Sequence, residues 1–134
     1  MIPNKTNRKK MNTPLLIDKI KIGNIEFEAY IIKDENNLEA FVIYFQGEKE
    51  PLIMFQQVAS NYKVELKINE DLVDKLQQFK SKDPQQRKEH FKIFQEFALN
   101  AEQKAKEIAF QDARLIYFSD IQLIKSIEQA FLVD

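Results

Sequence analysis

Residues 25–45 read IEFEAYIIKDENNLEAFVIYF, and the fold turns on how this stretch is paired. Ile25, Phe27, Ala29 and Ile31 alternate with Glu26, Glu28 and Tyr30. A period of two puts the first set on one face of a strand and the second set on the other. Asp34-Glu35-Asn36-Asn37 is turn chemistry. Leu38 to Gln46 is nearly all apolar and predicts the next strand. A four-residue hairpin loop at 34–37 sets Lys33 opposite Leu38. It then sets Phe27 against Tyr44, Ala29 against Val42 and Ile31 against Ala40. The other face pairs Tyr30 with Phe41, Glu28 with Ile43 and Glu26 with Phe45. Both faces of this hairpin are mostly apolar, so its second strand is expected to be central and covered on both sides.

Working outward, Leu15 to Ile22 predicts a strand ended by Gly23-Asn24. Gly47 to Pro51 is a second turn, and Leu52 to Val58 a further strand. Tyr62, Val64, Leu66 and Ile68 alternate with Lys63, Glu65 and Lys67, a half-buried fifth strand. Turns this short favour an antiparallel meander over parallel crossovers. Three helices follow. Asn69 caps a short one to about Lys80, with Leu72, Val73, Leu76 and Phe79 on one side. Asp83-Pro84-Gln85-Gln86 opens a long one with an Asp cap, a first-turn Pro and a Gln in the capping-box position. Asp83–Arg87 and Glu102–Lys106 add supportive i,i+4 pairs. Ser119 to Gln122 opens the last helix, with Ile121, Ile124, Ile127 and Phe131 inward. Leu115 to Phe118 reads equally as edge strand or helix. The expected class is α+β: an antiparallel meander of about five strands, then three helices, the middle one long, packed mainly on one sheet face.

The long helix runs from about Asp83 to Gln111, and at 1.5 Å per residue its roughly 28 residues span about 42 Å. A domain of this size has a radius of gyration near 14 Å, by roughly 2.2·N^0.38. The helix therefore crosses the whole domain or reaches past it. Phe91, Phe94, Ala98, Ala101, Ala105 and Ile108 form one apolar stripe along it. The stripe has two readings: it lies on the chain's own sheet, or its small alanines admit a helix from another copy.

Composition narrows the classes further. With 134 residues, 20 basic and 21 acidic, the chain suits one soluble domain with no global pull toward nucleic acid or acidic lipid. Residues 1–14 carry Lys5, Arg8, Lys9 and Lys10 without periodicity and read as a solvated basic tail ahead of a single domain at 15–134. Cysteine is absent, which removes disulfides, thiolate nucleophiles and thiolate metal sites. No apolar run approaches the roughly 20 residues that span a bilayer, and no apolar signal segment leads the chain. A cytoplasmic protein with no membrane partner is expected.

Candidate chemistry is sparse. The two glycines, Gly23 and Gly47, both fall in turns, so no phosphate-cradling loop exists. His90 is the single histidine, and no partner histidine or cysteine accompanies it for a metal site. Glu70, Asp71 and Asp74 crowd the start of the short helix, where the helix dipole favours acids. Arg87, Lys88 and Lys92 form a basic group read as solvated. Glu26 and Glu28 share one strand face among aromatic and aliphatic neighbours, a pattern suited to a basic partner. No catalytic residue, metal ligand or cofactor is assigned.

The expected function is a non-enzymatic protein–protein interaction module of the adaptor, inhibitor, immunity or chaperone kind, self-associating as a homodimer. The candidate interface comprises the helix stripe together with Glu26 and Glu28. The alternative is a single-stranded nucleic-acid-binding module, with Tyr30, Tyr44 and Tyr62 stacking bases on the sheet. The net charge of −1 disfavours that reading.

Overall fold

The computed structural model describes residues 14–33, 39–58, 63–108 and 122–132. The tail at 1–13, the turn at 34–37, Tyr62 and the 115–118 stretch lie outside them. Five strands, β1 (Leu15–Ile22), β2 (Ile25–Lys33), β3 (Glu39–Phe45), β4 (Ile53–Val58) and β5 (Lys63–Ile68), form one antiparallel sheet in sequential order. Three helices follow: α1 (Glu70–Gln77), α2 (Pro84–Ile108) and α3 (Gln122–Leu132). At 25 residues, α2 is about 37 Å long.

The β2–β3 register differs from the expected one by a single residue. Phe27 pairs with Phe45, Ala29 with Ile43, Ile31 with Phe41 and Lys33 with Glu39. Leu38, the expected partner of Lys33, lies outside the described residues. A one-residue slip exchanges every side chain between faces. With the observed register the inner face becomes uniform. Ile20, Phe27 and Phe45 form one row, Ala29, Ile43, Ile53 and Ile68 a second, and Ile31, Phe41, Phe55 and Leu66 a third. β3 is the middle strand and is covered in part on its second side: Val42, on the outer face, is 0% exposed, while Tyr44 there is half-buried.

The helices bury this inner face. Leu72, Val73 and Leu76 of α1, Phe91, Phe94, Phe97 and Ala98 of α2, and Ile127, Ala130 and Phe131 of α3 join the inner-face residues in one cluster. The Phe94 ring lies 4.9 Å from Phe27 and 5.8 Å from Phe131, tilted in both contacts. Tilted rings suit the quadrupole of the aromatic face. α2 runs antiparallel along β1: its His90 meets Gly23 and its Lys104 meets Asp18.

Local chemistry sets the boundaries. Gly23, at φ +60°, opens the two-residue β1–β2 turn, where the hairpin needs a residue of positive φ. Asn69 caps α1 by accepting from the Leu72 amide at 3.2 Å. Asp83 Oδ1 accepts from the Gln85 amide, as a cap should. The capping box then closes through Ser81, whose hydroxyl accepts from the Asp83 amide and donates to Gln86. Arg87 is not part of a solvated basic patch. It is buried, and its Nη1 donates to the Ser81 carbonyl at 2.9 Å, so it fastens the chain entering α2.

Candidate interaction surface

The outer sheet face carries Lys19 and Lys21 of β1, Glu26, Glu28, Tyr30 and Ile32 of β2, Val42 and Tyr44 of β3, and Met54 and Lys67 of the last two strands. These residues are the alternates of the inner rows, so the pleat alone places them together. Val42 lies in a row between Tyr30 and Met54 and outside the main core cluster. Tyr30 and Tyr44 stand diagonal to one another across the β2–β3 ladder. Their ring centroids are 5.7 Å apart at 82°, an edge-to-face pair.

The tyrosine hydroxyl fixes one of the two carboxylates. Tyr30 Oη donates to Glu28 Oε1 at 2.9 Å. That hydrogen bond, then burial, then the Glu28 charge hold the Tyr30 phenol above its ordinary value of 10.0. Burial alone raises Tyr44. At the far end of the same ladder, burial raises the Glu39 carboxyl against the opposing pull of Lys33, 3.9 Å away. Glu26 and Glu28 border two shallow depressions. One, of about 240 Å³, lies toward Lys19 and Lys21, and the other, of about 110 Å³, lies toward Tyr44, Gln46 and Gly47. Gln46 takes a positive φ of 53°, rare for a residue with a Cβ. Its amide donates to the Glu26 carbonyl at 3.0 Å, and its side-chain oxygen accepts from the Glu26 amide at 2.8 Å. This two-point clasp holds the unusual conformation at the rim of the smaller depression.

The structure divides the expected interface residues. Glu26 and Glu28 stay together on the outer face. Phe91, Phe94, Ala98, Ala101 and Ala105 are buried in the chain's own core, so the greater part of the helix stripe is not surface. Ile108, at 54% exposure, stands beyond the core end of that stripe. Two residues have structural roles that the sequence reading did not give them. Glu102 is 0% exposed on α2, and Asp18 binds the Lys104 ammonium at 3.3 Å. Glu102 follows Ala98 by four positions and precedes Ala105 by three, so the stripe itself predicted its burial. Asp18 gave no such signal, because its partner is 86 residues away.

The described residues hold no group of three acidic or imidazole side chains able to bind a metal ion. No described helix is long and apolar enough to cross a membrane. In comparisons with known proteins, no family model, curated protein or solved structure matches this chain.

Proposed function

We propose that this protein is a non-enzymatic interaction module that receives a protein partner on the outer face of its sheet. The observation that carries the reading is the edge-to-face Tyr30–Tyr44 pair, part-exposed and tied to the Glu28 carboxylate, on the face away from the core cluster. Tyrosines with a satisfied hydroxyl give large contact area at low entropic cost, which is why interfaces favour them. Glu26 and Glu28 offer charge to a basic side chain beside those rings.

A second copy of the chain is the first partner to test. Lys19 and Lys21 lie opposite Glu28 and Glu26 on neighbouring strands, so the outer face carries two adjacent stripes of opposite sign. A two-fold axis along the strands between β1 and β2 sets each lysine stripe over the other copy's glutamate stripe, a self-complementary contact. Exposed ion pairs contribute little singly and are screened by salt, so this dimer is weak and salt-sensitive.

Light scattering across concentration at low salt tests it. The wild-type mass is expected to rise with concentration, E26K/E28K to stay monomeric, and K19E/K21E added to that variant to restore association. A strictly monomeric wild type removes self-association. Capture of an unrelated partner that survives Tyr44→Ala and E26K/E28K removes the surface itself. The nucleic-acid alternative keeps one supporting observation, the tyrosine pair on a face shared with Lys19, Lys21 and Lys67. Glu26 and Glu28 stand among those groups and repel phosphates. Salt-dependent binding of a labelled single-stranded oligonucleotide, lost on Tyr44→Ala, would favour it.

A further inference from the structure

Among the described strands β1 lies at an edge of the sheet, and an edge strand invites pairing with another chain. Which of its amides point outward follows from β2. The Glu26 amide and carbonyl both bond Gln46, toward β3, so Glu26 makes no ladder bond to Lys21 opposite it. Bonded and unbonded pairs alternate along an antiparallel ladder. The Lys19–Glu28 pair is therefore unbonded as well, and the Lys19 amide faces away from the sheet. It donates instead to Asp18 Oδ1 at 2.8 Å. Lys104 of α2 reaches the other oxygen, Asp18 Oδ2, at 3.3 Å.

The backbone makes this arrangement available. The β1–β2 register shifts between Leu16 and Asp18, so Ile17 is an inserted bulge residue. Ile17 packs against the core cluster, and Asp18 comes opposite Ala29, on the side that α2 covers. A bulge turns two successive side chains toward the same side of a sheet. Immediately before it stand Leu15 and Leu16, exposed at 50% and 47%, which would favour an incoming strand.

We propose that Asp18 is an edge guard that closes β1 to strand addition by a second copy of this chain, with Lys104 holding its carboxylate in place. The guard acts twice. It occupies the central outward amide of the strand, and it sets a negative charge where an incoming strand would bring carbonyl oxygens. This inference does not rest on the outer-face reading. It concerns the β1 edge alone.

Amide hydrogen exchange on the wild-type protein tests the cap without any substitution. After correction for intrinsic rates, the Lys19 amide exchanges at least about tenfold more slowly than the Lys21 amide, because its acceptor is charged. Equal rates overturn the proposal. Asp18→Ala abolishes that difference in dilute protein. In about 0.5 M salt, where the outer-face charges are screened, its mass rises with concentration and the Lys19 amide becomes protected in the associated form. Asp18→Asn, which keeps an oxygen acceptor but loses the charge, and Lys104→Ala, which keeps the carboxylate but releases it, each associate less than Asp18→Ala. A folded Asp18→Ala protein of unchanged mass overturns the proposal. So does association with the Lys19 amide left unprotected, or equal association of Lys104→Ala.

Discussion

Ala101→Glu separates a helix stripe that serves the core from one that serves an interface. Ala101 is 0% exposed and belongs to the cluster that joins α2 to the sheet. A glutamate there adds four heavy atoms (Cγ, Cδ, Oε1 and Oε2) beyond the methyl group. Overpacking of a close-packed core costs about 1–3 kcal/mol. Burying a carboxyl group without a matched partner adds about 1–3 kcal/mol even when it is protonated, and several more if it stays ionised. The expected loss is therefore about 2–6 kcal/mol. Unfolding entropy near 2.1 cal/mol/K per residue gives roughly 0.28 kcal/mol/K for this chain, so the melting temperature falls by about 7–20 °C. Ile108→Glu, at the exposed end of the same stripe, lies within about 0.5 kcal/mol of wild type, or less than about 2 °C. Thermal melts by circular dichroism, with light scattering on the same samples, read both quantities. A melting temperature of Ala101→Glu within about 2 °C of wild type, with a lowered mass, would refute the placement of this stripe in the core.

Three further outcomes follow from local geometry. Gly23→Ala is destabilising by about 1–2 kcal/mol from its positive φ alone. The added Cβ also meets His90 Cε1 at 2.8 Å, so pairing it with His90→Ala recovers only the steric part in chemical denaturation. Asn69→Ala removes the α1 cap and lowers stability by about 1 kcal/mol in the same assay. The Tyr30 phenol, held above 10.0 chiefly by its hydrogen bond to Glu28, contributes stability that is complete below the unfolded value. That contribution is lost as pH rises through the folded one. Alkaline titration of phenolate absorbance should show its midpoint move down toward 10.0 in Glu28→Gln.

The element order was legible because period and punctuation agree along this chain. Alternation in Ile25 to Ile31, the Gly23-Asn24 turn and the Asn69 and Asp83 caps each name an element or its boundary, and each stands where expected. The β2–β3 register was not legible from turn composition, since Asp34-Glu35-Asn36-Asn37 does not say whether Leu38 pairs. The aromatic residues held the better signal. The register that sets Phe27 opposite Phe45 lays the apolar face of β2 beside the apolar face of β3. The stripe on α2 was legible as a face, but spacing cannot say what lies against it. Arg87 and Glu102 were missed because charged helical residues are assigned to solvent by default. Of the candidate site, Glu26 and Glu28 were found from their shared face. The Asp18 contact was hidden by a bulge that sequence patterning does not encode.

The sequential meander has a consequence for the nascent chain on the ribosome. Each strand pairs with its neighbour in sequence, so the sheet can zip together as soon as Ile68 is free of the exit tunnel. Its phenyl-covered side is then covered only in part, by α1, until α2 is complete at Ile108, some 40 residues later. At about 5–20 residues per second, that interval is roughly 2–8 s. During it, a raft of Phe27, Phe41, Phe45 and Phe55 faces solvent or a holdase. Codon tempo between 69 and 108, rather than the stability of the finished domain, then governs how much chain escapes aggregation.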